Sequence, residues 1–185
     1  MSLRVQAVRA VAGATVALLA AGCSLVHSSS ASLSSMPGTA IFPAGQRPPL
    51  PDVSGRTLTG GKLSLAADRG HVIVLNFWGS WCSVCQQEAP ALAVAARQFT
   101  PSGVRFVGVD VADNSASARA YMQHHGLRYP SLSDPGDHIA LEFNRLIPIS
   151  AFPSTLVISP NGRIAGRVIG AASDHDLRRL IKAVM

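Results

Sequence analysis

Residues 71–90 read His71-Val72-Ile73-Val74-Leu75-Asn76-Phe77-Trp78-Gly79-Ser80-Trp81-Cys82-Ser83-Val84-Cys85-Gln86-Gln87-Glu88-Ala89-Pro90. The first eight are nearly all apolar, the pattern of a strand buried on both faces. After Trp81-Cys82 a helix rich in Ala, Gln and Leu is expected to run to about Gln98, with a kink at Pro90. Two thiols therefore fall where a buried strand gives way to a helix. Unpaired N–H groups and the helix dipole stabilise a thiolate at that end. The first sulfur should be partly exposed and the second, one turn on, shielded. Cys82 is thus the expected nucleophile toward a partner disulfide, and Cys85 the thiol that resolves the mixed disulfide.

Outward from this segment the chain alternates strands and helices. Arg56 to Leu65 has the composition of a small hairpin turning at Gly60-Gly61. Val104 to Val111 is a second buried strand, Ser115 to His125 a helix stopped by Gly126, and Asp137 to Asn144 a short helix. Ser154 to Ser159 is a third strand, returning through Pro160-Asn161-Gly162 to an antiparallel Arg163–Ile169. Asp174 to Met185 closes the chain as a helix capped by Ser173. This order predicts an α/β fold, a central mixed sheet flanked by helices on both faces, preceded by a hairpin.

The N-terminal residues have another character. Arg4 and Arg9 precede a 12-residue apolar run, Ala10 to Ala21. As a helix it would be ~18 Å long, short of the ~30 Å hydrocarbon core, so it reads as an export signal rather than a span. The run ends in Leu19-Ala20-Ala21-Gly22-Cys23, which resembles a bacterial lipobox with Cys23 as the acylated residue. The usual pattern places Leu three before the Cys; here Ala20 is there and Leu19 one further back. On this reading residues 1–22 are a lipoprotein signal peptide. Residues 23–46, rich in Ser and Pro, are a flexible tether, and 47–185 form the folded domain. A Ser24–Pro51 coil would reach ~30 Å.

Of 185 residues, 48% are hydrophobic and 14% charged, so a buried core is expected. The net charge of +6 falls to +4 once Arg4 and Arg9 are removed. The arginines are scattered singly apart from Arg178-Arg179, which argues against nucleic acid as a partner. Three cysteines are too few for a disulfide-stapled scaffold.

The segment Asn76 to Pro90 resembles the active-site region of the TlpA/ResA branch of the thioredoxin superfamily: a Trp before Cys-x-x-Cys, then a Glu and a Pro. Ala151-Phe152-Pro153-Ser154-Thr155-Leu156-Val157-Ile158 is similar to the branch's cis-proline segment. The stretch between Asp113 and Ile147 takes the place of its helical insertion. The resemblance implies a thioredoxin-like fold and a membrane-anchored, extracytoplasmic thiol–disulfide oxidoreductase without cofactor or metal. It implies exported proteins with disulfides or thiols as clients, including apocytochromes c, and a membrane electron-transfer thiol protein as redox partner. It further implies a cis bond at Phe152-Pro153, leaving the Phe152 backbone free for an extended client, with Pro153 screening the sulfurs. Trp81 would present apolar surface to the client; a plain core Trp is the other reading. Glu88 would move protons at Cys85, or be a solvated helix-face acid. Asp113 falls where some relatives carry an acid near the thiols. Asn76 departs from thioredoxin itself, where a titrating acid holds that place, so a proton relay must come from elsewhere or from water.

Other chemistries fit less well. Zinc needs four ligands, and His124-His125 are adjacent on a helix. Haem attachment would need His at Gln86. A thiol peroxidase lacks its expected Pro and Thr or Ser before either Cys, and copper lacks a nearby Met. Reductase is favoured over oxidase by resemblance alone. A binding module with a merely structural disulfide also stays open.

Overall fold

The computed structural model describes residues 38–185 and, among them, eight strands and four α-helices. In chain order these are β1 (Gly38–Ile41), β2 (Ser54–Arg56), β3 (Lys62–Ser64), β4 (Ile73–Trp78), α1 (Ser83–Phe99), β5 (Arg105–Val111) and α2 (Ser115–His124). β6 (Ser131–Asp134), α3 (His138–Glu142), β7 (Ser154–Ile158), β8 (Ile164–Ile169) and α4 (Asp174–Lys182) follow. Six strands form one mixed sheet in the order β1-β8-β7-β4-β5-β6, and β2 with β3 makes a separate hairpin. β4, β5 and β6 run parallel, whereas β7, β8 and β1 add antiparallel.

Alternation along β4 sends Val74 and Trp78 to one face and Ile73, Leu75 and Phe77 to the other. Every residue of the strand is buried, as its central place requires. The first face is covered by α1, α2 and α4 through Leu92, Ala95, Ala118, Tyr121, Leu177 and Ile181. The opposite face is closed by Ala140 of α3 with Phe143, by Leu146 and Ile147 after it, and by Phe42, Val53 and Leu65. Ser173 caps α4 in a capping box with Asp176. Pro90 lies within α1.

Two elements depart from the expected order. β6 is a strand of four residues with the polar sequence Ser-Leu-Ser-Asp, too short and polar to announce itself. β1 falls inside the stretch expected to be tether, and this corrects that boundary. Gly38 to Ile41 pairs with Ile169 to Gly166, and Phe42 is buried in the core. A free strand edge on β8 orders a sequence whose own composition would not. The signal-peptide, lipobox and Cys23 readings lie outside the described residues. Among the described residues no helix is long and apolar enough to cross a membrane.

Candidate active site

β4 ends at Trp78, and the turn Gly79–Trp81 delivers the chain to α1. Cys82 is the N-cap of α1, and its Sγ accepts the Cys85 backbone N–H at 3.1 Å. That donor is one of the groups a helix leaves unpaired at its first turn. Cys82 and Cys85 are joined as a disulfide, with Cα atoms 5.2 Å apart. Cys82 keeps 6% of its surface and Cys85 none. The order of access is the expected one, but Cys82 is less open than its place at a strand end implied. Capping turns its sulfur inward over the helix end.

The turn before the thiols is held from β5. Asp113 accepts the Ser80 N–H on one oxygen and the Asn114 N–H on the other, each at 2.7 Å. Trp81 donates its indole N–H to the Val111 carbonyl at 3.1 Å. Its ring meets Phe152 edge-on, 5.9 Å between centroids, and remains 54% exposed. Trp81 is therefore a surface aromatic beside the disulfide; the core tryptophan is Trp78, stacked on Tyr121. The Phe152–Pro153 peptide is cis, and Pro153 is buried.

Glu88 is not a solvated acid. It is 2% exposed, on the buried side of α1 one turn beyond Cys85. Asn76 donates its side-chain N–H to one carboxylate oxygen at 2.7 Å, and the Ala172 backbone N–H reaches the other at 2.9 Å. Asn76 donates also to Thr155 Oγ1 at 3.1 Å. Burial pushes Glu88 up to about 7, against the lowering effect of those two donors. The non-titrating Asn76 thus fixes an acid that titrates near neutrality.

Two further groups had no sequence signal. Tyr121 donates its hydroxyl to the Cys85 carbonyl at 2.7 Å. Asp110, buried on β5, is pushed up to about 8, first by burial and then by the neighbouring Asp113 carboxylate. The described residues contain no cluster of three or more His, Cys, Asp or Glu able to hold a metal.

Residues 47–167 match the model of the AhpC/TSA family, and the chain belongs to that family. It is 29% identical over 126 residues to the thiol-disulfide oxidoreductase ResA of Bacillus subtilis, covering 66% of this chain and 68% of that one. The crystal structure of a DsbF homologue from Corynebacterium diphtheriae superposes with a TM-score of 0.74 at 28% identity, over 79% of this chain and 92% of the other. A secreted thiol-disulfide isomerase from Corynebacterium glutamicum gives 0.73 at 26%, over 79% and 90%. These similarities place the chain in the TlpA/ResA-like branch, with a thioredoxin-like fold and the redox pair of a thiol–disulfide oxidoreductase.

Proposed function

We propose that this member of the AhpC/TSA family works outside the cytoplasm, reducing disulfides in exported proteins through Cys82 and Cys85. The capped sulfur carries the reading: Cys82 Sγ, facing the Cys85 N–H at 3.1 Å, is where a thiolate is stabilised. In the reduced protein the Cys82 thiolate attacks one sulfur of a client disulfide. That bond breaks, and the departing client sulfur takes up a proton. Cys85 then gives up its proton and attacks Cys82. The client leaves with two electrons, and the Cys82–Cys85 disulfide remains. Glu88, one turn from Cys85 and titrating at about 7, takes the Cys85 proton. Asp113 positions the turn that carries the nucleophile.

Trp81 and Phe152 flank the thiols as an apolar rim. The Phe152 backbone, without a hydrogen-bond partner among the described residues, pairs with an extended client stretch, and Pro153 has no N–H to compete. Clients include apocytochromes c before haem attachment, and a membrane electron-transfer thiol protein restores the dithiol. The signal-like N-terminus and lipobox at Cys23 support a lipid-anchored location. The relative named as secreted supports export.

The decisive measurement is the Cys82–Cys85 midpoint potential against a glutathione buffer. Thioredoxin-like reductants lie near −270 mV and strong oxidants near −120 mV, a gap of ~7 kcal/mol. A value near the lower end supports the reductase, and one near the upper end makes the protein an oxidase. A pair that does not exchange is a structural disulfide.

A further inference from the structure

At the end of the sheet remote from the thiols, β5 is paired on one side only. β6 begins opposite Gly108, so Arg105, Phe106 and Val107 have β4 beside them and, among the described residues, no strand on the other flank. The gap is a cleft of about 620 Å3 between α1, the β3 segment and the chain leading into β6. Ala93 and Ala96 of α1 are too small to fill it, and Val104, Phe106 and Tyr129 supply the rest of an apolar floor. Tyr129 packs against Phe106 at 5.9 Å between centroids, and its buried hydroxyl has no hydrogen-bond partner among the described residues.

The rim is cationic. Lys62, Arg97, Arg105 and Arg128 line the cleft, and Asp68 is the one acid among its lining residues. Asp68 lies 3.8 Å from Arg105, and no acid pairs with Lys62, Arg97 or Arg128 among the described residues. Residues far apart in the sequence thus gather three uncompensated positive charges around an apolar hollow.

We propose that this cleft binds a small organic anion, a carboxylate, sulfonate or phosphate on an apolar body. The charged head sits among Lys62, Arg97 and Arg128, and the body lies on the Ala93–Ala96 and Phe106–Tyr129 floor. The volume is that of a small-molecule site. Its concave shape suits a free ligand rather than a bilayer surface, which meets flat or convex patches. Ala93, Ala96 and Arg97 lie eleven or more residues beyond Cys82 along α1, ~16 Å or more at 1.5 Å per residue. Binding is therefore separate from thiol chemistry and stands independently of the proposed function.

Calorimetric titration of the oxidised full chain with 8-anilinonaphthalene-1-sulfonate tests this. One saturable site is expected. Arg97→Glu with Arg128→Glu should weaken it at least tenfold, and so should Ala96→Leu, which fills the floor. Arg179→Glu with Lys182→Glu on α4 reverses as much charge elsewhere and should leave affinity within twofold. Thermal unfolding checks that each variant is folded, and oxidation of dithiothreitol should be unchanged in the Arg97/Arg128 variant. Equal weakening by both double variants overturns the proposal, as does binding without saturation. Sedimentation with phosphatidylglycerol vesicles without binding of the free probe overturns it too.

Discussion

Asn76 donates its side-chain amide to the Glu88 carboxylate at 2.7 Å, joining the central strand to the helix that carries both thiols. An uncharged strand residue thereby holds a buried acid close to neutrality. The same Glu88 accepts the Ala172 N–H at the approach to α4, so its protonation state bears on the packing of the domain.

The first consequence concerns pH and stability. Burial raises Glu88 from 4.5 to about 7, so the folded state holds the proton more tightly than the unfolded chain. The associated stability is complete below about pH 4.5 and is lost as pH rises through 7, on the order of 3 kcal/mol. Asp110, at about 8, adds a slope of the same sign extending higher. Urea unfolding of the oxidised protein should therefore show falling stability between pH 5 and 8. Glu88→Gln should remove about half of the slope below 7, and Asp110→Asn should remove the other half together with the slope that continues from 7 to 8. An unaltered pH slope in Glu88→Gln would show that the acid titrates normally.

The two cysteines should fail differently. Cys82→Ser removes the attacking sulfur and should abolish insulin-disulfide reduction. Cys85→Ser leaves the attack intact and should accumulate client-linked mixed disulfides, visible as adducts on non-reducing gels. Turnover by Cys82→Ser at the native rate would remove the mechanism. With Glu88→Gln, release of the mixed disulfide should slow and lose its inflection near pH 7.

Gly79 lets the indole of Trp81 fold back over the turn. A methyl group there would collide with Trp81 Nε1 and come within 2.7 Å of Cε2. Because the ring is exposed it can move, so Gly79→Ala should cost less than about 1 kcal/mol. The displaced indole would leave the Val111 carbonyl and its edge contact with Phe152. The KM for a protein disulfide should rise about tenfold, whereas reaction with dithiothreitol stays unchanged. Equal slowing of both would mean that the thiols themselves had been disturbed.

What could be read from the sequence were features contained in one continuous stretch. β4 and α1 are long and distinctly patterned, and Trp81, Cys82 and Cys85 form a single motif beside Phe152-Pro153. Glu88 could be located but not its burial, because the partner that covers it, Ala172, lies 84 residues away. Tyr121 is 36 residues from the carbonyl it caps, and nothing local marks it. β6 and β1, four residues each, take their conformation from the strands they join. Tertiary pairing outweighs weak local preference in such short edges. The cationic cleft is hidden for the same reason, since its charges meet only after β5, α1 and the β6 approach have packed.

β1 provides the sharpest test of where the domain begins. The Phe42 N–H bonds to the Ala165 carbonyl at 2.8 Å, and Thr39 Oγ1 donates to Asp176 on α4 at 2.9 Å. Gly166 permits the close approach, because a side chain there would lie 2.7 Å from the Ala40 carbonyl and 2.5 Å from Leu180 Cδ2. A chain shortened to begin at Gly38 keeps β1 and Phe42 and is the reference for the comparison. One beginning at Pro43 loses β1 and the buried Phe42 ring, whose truncation alone is worth about 3–5 kcal/mol. Its urea midpoint should fall by 1 M or more, taking a slope of about 1–3 kcal/mol per molar. Gly166→Ala should reproduce part of that loss in the full chain by prising β1 from β8. Equal midpoints for the two shortened chains would return residues 38–46 to the tether.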